Sequence, residues 1–104
     1  MRPFLDALSN HILVVENEPG LYEMIRTALE CDGFHVTFTP KKAAALSLLS
    51  SLKIDLVVVD VDLPDGLGTE VARRAASLTI PGILMTGHPR HITEFDQQGF
   101  AFIA

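Results

Sequence analysis

The sequence predicts an α/β domain built on a parallel sheet. Short, branched apolar runs recur along the chain, and a segment with helical spacing follows each of them up to the fifth. Glycine and proline punctuate the joins. Strands that alternate with helices at this spacing imply right-handed crossovers and a sheet with both faces covered.

The first run, His11-Ile12-Leu13-Val14-Val15, is almost continuously apolar, as a strand buried on both faces is. Glu16-Asn17-Glu18 interrupts it, and Pro19 suits the first turn of a helix. Leu21, Ile25, Ala28 and Leu29 fall on one face of that helix, and Gly33 closes it. His35-Val36-Thr37-Phe38 alternates as a second strand. Thr39-Pro40 reads as a helix start with a capping hydroxyl and a proline at the first position. Ala45, Leu48, Leu49 and Leu52 form the predicted buried stripe of the second helix.

Leu56-Val57-Val58-Val59 is a third strand that ends at Asp60. Leu63-Pro64-Asp65-Gly66 is a turn, and Leu67, Val71, Ala75 and Leu78 mark a third helix. Pro81-Gly82 precedes a fourth strand, Ile83-Leu84-Met85, which ends at Thr86. A short helix opening at Pro89 and closing at Gly99 leads to a fifth strand, Phe100 to Ala104.

The 104 residues make one domain, long enough to bury roughly two-thirds of the surface of its unfolded chain. A hydrophobic share of 48% excludes a disordered chain. No apolar run approaches the roughly 20 residues of a membrane span, and MRPFLDALSN does not read as a secretory signal. With the single cysteine, Cys31, these features point to a reducing, cytoplasmic setting; Cys31 itself reads as a small buried hydrophobe. The net charge of -5, with Arg73-Arg74 and Lys41-Lys42 as isolated basic pairs, argues against direct nucleic-acid binding.

In open parallel sheets, function gathers beyond the carboxyl ends of the strands. Strand one runs into Glu16-Asn17-Glu18, strand three into Asp60 and then Asp62, and strand four into Thr86-Gly87. If those strands are neighbours, the groups converge. Hard oxygen ligands suit Mg²⁺, and a carboxylate beside that ion can act as nucleophile toward a phosphoryl group. A threonine hydroxyl can donate a hydrogen bond to a phosphate oxygen.

Three stretches resemble the receiver domains of two-component response regulators: Ile12 to Pro19, Asp55 to Gly68, and Ile83-Leu84-Met85-Thr86-Gly87. The likeness runs from about residue 11 to the end, with the motifs in order and at the family's spacing. It implies a CheY-like, flavodoxin-like fold, doubly wound on a parallel five-stranded sheet of order 2-1-3-4-5. Residues 1–10 are then an N-terminal extension, and residues 11–104 a receiver domain that stops after strand five, without the family's last helix. The resemblance makes Asp60 the phosphoacceptor for a sensor histidine kinase or phosphotransfer protein, in a signalling domain that is not an enzyme. It makes Thr86 the switch hydroxyl and Phe102 the switch aromatic, with Ile92 and Phe95 on the responding surface. Mg²⁺ would be held by Glu16, Asn17, Asp60 and the backbone carbonyl of Asp62.

The sequence departs from the pattern twice. The second member of the acidic pair is Asn17, which offers a carbonyl oxygen but no charge. Glu18, Asp62 or Asp65 would then compensate in part. The family's lysine after strand five would fall one residue past Ala104. Both departures favour an alternative, a pseudo-receiver that acts as a phosphorylation-independent interaction or dimerisation module. A face left bare by the missing helix predicts a homodimer. A flavin-binding role is disfavoured because the loop after strand one is acidic where a phosphate cradle would be required. His88 and His91 lack partners at zinc spacing, and Gly66-Leu67-Gly68 lacks the third glycine and the lysine of a phosphate loop.

Overall fold

The structure is a computed structural model that describes residues 10–86 and the backbone of 101–103. The predicted helix between Pro89 and Gly99, with His88, His91, Ile92 and Phe95, lies outside the described residues. So do residues 1–9 and the side chain of Phe102.

The elements run β1 (His11–Val15), α1 (Pro19–Cys31), β2 (His35–Thr39), α2 (Lys42–Ser51), β3 (Leu56–Asp60), β4 (Asp62–Leu63), β5 (Gly66–Leu67), α3 (Thr69–Ser77), β6 (Gly82–Met85) and β7 (Ala101–Ile103). Five strands form one sheet in the order β2-β1-β3-β6-β7, all parallel. Counted along the main sheet, this is the expected order 2-1-3-4-5. β4 and β5 form a separate antiparallel hairpin.

Alternation along the strands divides the core into two sides. Leu13, Val15, Val57, Val59 and Leu84 pack with Ala45 and Leu49 of α2 and with Val71, Ala72 and Ala75 of α3. Ile12, Val14 and Val58 point the other way, toward Ile25 and Leu29 of α1. The first side is closed, with eight of those strand and helix residues fully shielded at 0% exposure. The second is looser, because α1 has no buried residue. Tyr22 of α1 stacks on Phe38 of β2 at 3.4 Å between ring centroids.

Several helix expectations required correction. Ala28 is exposed, and the inward face of α1 is carried by Leu21, Tyr22, Ile25 and Leu29. Cys31 is exposed as well, because it ends α1 just before Asp32 caps it and Gly33 turns the chain with φ +89°. In α2 only Ala45 and Leu49 are buried; Leu52 lies past the last turn and is 40% exposed. Leu67 and Leu78 flank α3 and do not belong to it. Leu67 is in β5, Leu78 is the C-cap, and both are exposed.

The start of α2 also differs. Thr39 remains in β2, and the helix begins at Lys42 behind Lys41, whose side chain makes no capping bond. The cap comes from Asp65, which accepts hydrogen bonds from the backbone N–H groups of Lys42 at 2.7 Å and Ala43 at 2.9 Å.

Candidate functional site

Strand register brings the acidic groups together. Val15 lies beside Val59, so Glu16 and Asp60 leave neighbouring strands at the same level. Asp60 in turn lies beside Met85, so Thr86 is the next residue out on β6. Glu16 and Thr86 are both buried, at 1% and 6% exposure. Asp60, at the last position of β3, is half-buried. Asn17 is exposed, one residue beyond Glu16.

Glu16 is the unusual member. One carboxylate oxygen, Oε2, accepts the N–H of Glu18 at 2.8 Å. The other, Oε1, is buried and has no hydrogen-bond partner. Such groups are rare, because a buried polar atom without a partner loses its hydration uncompensated. Burial pushes the Glu16 carboxyl above the usual carboxylate range. The Glu18 amide opposes that shift, and the nearby charge of Asp60 adds to it. Two carboxylates facing each other across one edge, one of them with a stranded oxygen, suit a bound cation. Residues of this kind fit Mg²⁺: hard oxygens, few enough to leave room for water and a phosphoryl oxygen.

The turn after β3 is set by the backbone. The N–H of Asp62 donates to Asp60 Oδ1 at 3.0 Å, and the N–H of Val61 donates to the Met85 carbonyl at 3.0 Å. Gly68 folds back, its N–H donating to the Val61 carbonyl at 2.7 Å. Its Cα faces the Asp60 carbonyl so closely that a Cβ would overlap that oxygen. The hairpin from Asp62 to Leu67 lies between these two contacts.

Two of the three suggested compensating acids are committed elsewhere. Glu18 is the N-cap of α1, its carboxylate accepting from Gly20 N–H at 3.1 Å and Leu21 N–H at 2.8 Å. Asp65 caps α2. Among the described residues no three His, Cys, Asp or Glu side chains gather as a metal site. The candidate set is therefore two acids, an amide and backbone oxygen. Sequence reasoning missed the capping roles of Glu18 and Asp65. For Glu18 a signal was present: an acid directly before a proline that opens a helix is a capping pattern.

A doubly wound, flavodoxin-like sheet with carboxylates at the carboxyl ends of its central strands defines a class of acidic-site α/β domains. Comparison with known proteins makes the assignment specific. The response regulator receiver domain model matches residues 12–99, and the chain belongs to that family. An uncharacterized 14.6 kDa protein in the sodA1 3' region of Leptolyngbya boryana is 37% identical over 83 residues, covering 76% of this chain and 63% of its own. The swarming motility regulation protein RssB of Serratia marcescens is 39% identical over 82 residues, covering 77% of this chain and 37% of its own. The chain thus spans less than two-thirds of the length of these curated relatives. Response regulator TrrA of Thermotoga maritima, solved in complex with Mg²⁺-BeF, has the same fold. Its TM-score is 0.82 at 24% identity, over 91% of this chain and 85% of that one.

Among the described residues no helix is long and apolar enough to cross a membrane.

Proposed function

We propose that this receiver domain accepts a phosphoryl group on Asp60 from a sensor histidine kinase or phosphotransfer protein. The observation that supports it most is the buried, unpartnered Oε1 of Glu16 beside Asp60, at the edge where the three central strands end. A carboxylate oxygen of Asp60 attacks phosphorus, the bond from phosphorus to the donor's histidine nitrogen breaks, and the imidazole leaves with the electron pair. Glu16, Asn17, Asp60 and the Asp62 carbonyl would hold Mg²⁺. When bound, the ion offsets the repulsion between the acceptor carboxylate and the incoming phosphate oxygens. Thr86 serves as the hydroxyl donor to a phosphate oxygen, and Phe102 as the aromatic that responds.

Residues 11–104 form the receiver unit in this reading, with residues 1–10 as an extension. The domain works in the cytoplasm through protein partners, without catalysing turnover, touching nucleic acid or entering a membrane. Two copies associate through the α1 side of the sheet, where α1 itself has no buried residue. Sedimentation should show a mass that rises with concentration; a monomer at every concentration tested removes the dimer.

Asn17 favours a second reading, a pseudo-receiver that binds partners without phosphorylation, because it leaves the cation site one charge short. One experiment separates the two. The chain is incubated with Mg²⁺ and a small phosphodonor, then its intact mass is measured beside Asp60→Asn. The expected result is a gain of one phosphoryl group, absent in Asp60→Asn and blocked by chelator. No gain in the unmodified chain, or an equal gain in the variant, ends the phosphoacceptor reading.

A further inference from the structure

We infer that Asp65 is a positioning residue: it fastens the hairpin after the acceptor to α2 and so holds the Asp62 carbonyl at the cation site. This rests on the function proposed above.

The hairpin has little to hold it together alone. Its two strands pair only Asp62 with Leu67 and Leu63 with Gly66. A hairpin that short is not stable in water without outside contacts. Leu63 anchors it from below, at 8% exposure. Above, its tip is Pro64-Asp65, and Asp65 is fully committed. Each of its carboxylate oxygens takes one backbone N–H from the first turn of α2. Those two amides hold its carboxyl below the usual carboxylate range. The helix contributes nothing of its own in exchange, since Lys41 supplies no side-chain cap. The bond is therefore mutual: Asp65 supplies the cap that α2 lacks, and α2 gives the hairpin a fixed end.

A second strap reinforces the first. The Lys42 side chain runs from α2 to Glu70 of α3, with Nζ 2.8 Å from Oε2. It crosses the hairpin at Gly66, where a Cβ would stand 2.7 Å from Nζ and where φ is +149°. Glycine fits both the conformation and the crossing. The tip is thus tied to α2 directly and bridged to α3 by Lys42.

What the tie controls lies at the other end of the hairpin. Asp62 opens it, two residues past Asp60, with its N–H already on Asp60 Oδ1. Freed at the tip, the hairpin would let the Asp62 peptide turn, and a carbonyl offered to a small, geometrically demanding cation would lose its aim. Groups that orient metal ligands typically change affinity tenfold to a hundredfold when removed.

The test compares Mg²⁺ affinity by calorimetry, together with the Mg²⁺ dependence of phosphorylation by a small donor. Asp65→Ala should bind Mg²⁺ about tenfold more weakly. Its phosphorylation rate should return toward that of the unmodified chain at saturating Mg²⁺. Asp65→Asn, which retains one acceptor oxygen, should fall between the two and covers the case in which the alanine variant folds poorly. Glu23→Gln removes a charge from α1, where Glu23 pairs with Arg26 and takes no part in either strap, so it should change Mg²⁺ affinity little. A purely structural role would lower the melting temperature of Asp65→Ala with no shift in Mg²⁺ affinity, and that result overturns the inference. An equal weakening in Glu23→Gln also overturns it, since the effect would then be charge at a distance. If the unmodified chain binds Mg²⁺ but takes no phosphoryl group, the phosphoacceptor reading falls alone, and the shift in Asp65→Ala still decides the positioning role. An unmodified chain that binds no Mg²⁺ overturns both.

Discussion

Gly68→Ala is expected to abolish phosphoryl uptake and to destabilise the fold by about 3 kcal/mol, the upper end for forcing a methyl into a packed site. The added Cβ would overlap the Asp60 carbonyl oxygen and stand 2.9 Å from both the Asp60 carbonyl carbon and a methyl of Val59. Gly68 cannot step aside. Its N–H is bonded to Val61, and its carbonyl accepts from Val71 at 3.0 Å and Ala72 at 3.1 Å in the first turn of α3. Relief must come from the end of β3, which displaces the acceptor. Urea denaturation gives the stability, and intact mass after treatment with a phosphodonor gives the activity. A variant with an unchanged denaturation midpoint and full uptake would show that the close approach does not constrain Asp60.

Asn17→Asp is expected to strengthen Mg²⁺ binding by tenfold or more. Unit charges about 4 Å apart near a protein surface interact with about 4 kcal/mol, and every 1.4 kcal/mol is a factor of ten. Asn17 is exposed, so water and salt remove part of that gain. Compensation from neighbours is limited, since Glu18 and Asp65 are held by helix termini. The substitution should lower stability without metal, because a third carboxylate joins Glu16 and Asp60, and raise it when Mg²⁺ is present. Thermal unfolding with and without the ion reads both signs. Equal Mg²⁺ affinity in the two proteins would place Asn17 outside any cation site.

The sheet was legible because its signals are local. A strand buried on both faces is an apolar run, and β1 and β3 are such runs. The acidic edge was legible for the same reason: Glu16 and Asp60 directly follow those runs, and register brings them together once β1 and β3 pair. What escaped detection depends on distant parts of the chain. The cap of α2 comes from Asp65, 23 residues beyond Lys42, so Thr39-Pro40 looked like the start when its threonine belongs to β2. Leu67 matches a helical period with Val71 and Ala75, yet the hairpin claims it, because Gly68 must meet Asp60 first. Cys31 has the chemistry of a buried residue but sits where α1 ends, beyond the reach of the core. Periodicity says which face of a helix turns inward; it does not say where tertiary contacts stop the helix.

The bond from the Asp62 amide to Asp60 Oδ1 makes the two carboxylate oxygens chemically distinct before any donor arrives. A lone pair shared with an N–H is a poorer nucleophile than one that is not, and the same bond biases the carboxylate against rotating to exchange the two. On the function proposed above, bond formation to phosphorus would be regioselective, favouring Oδ2. The acyl phosphate would form with its orientation already biased by a backbone amide, which among substitutions at that position only proline would remove.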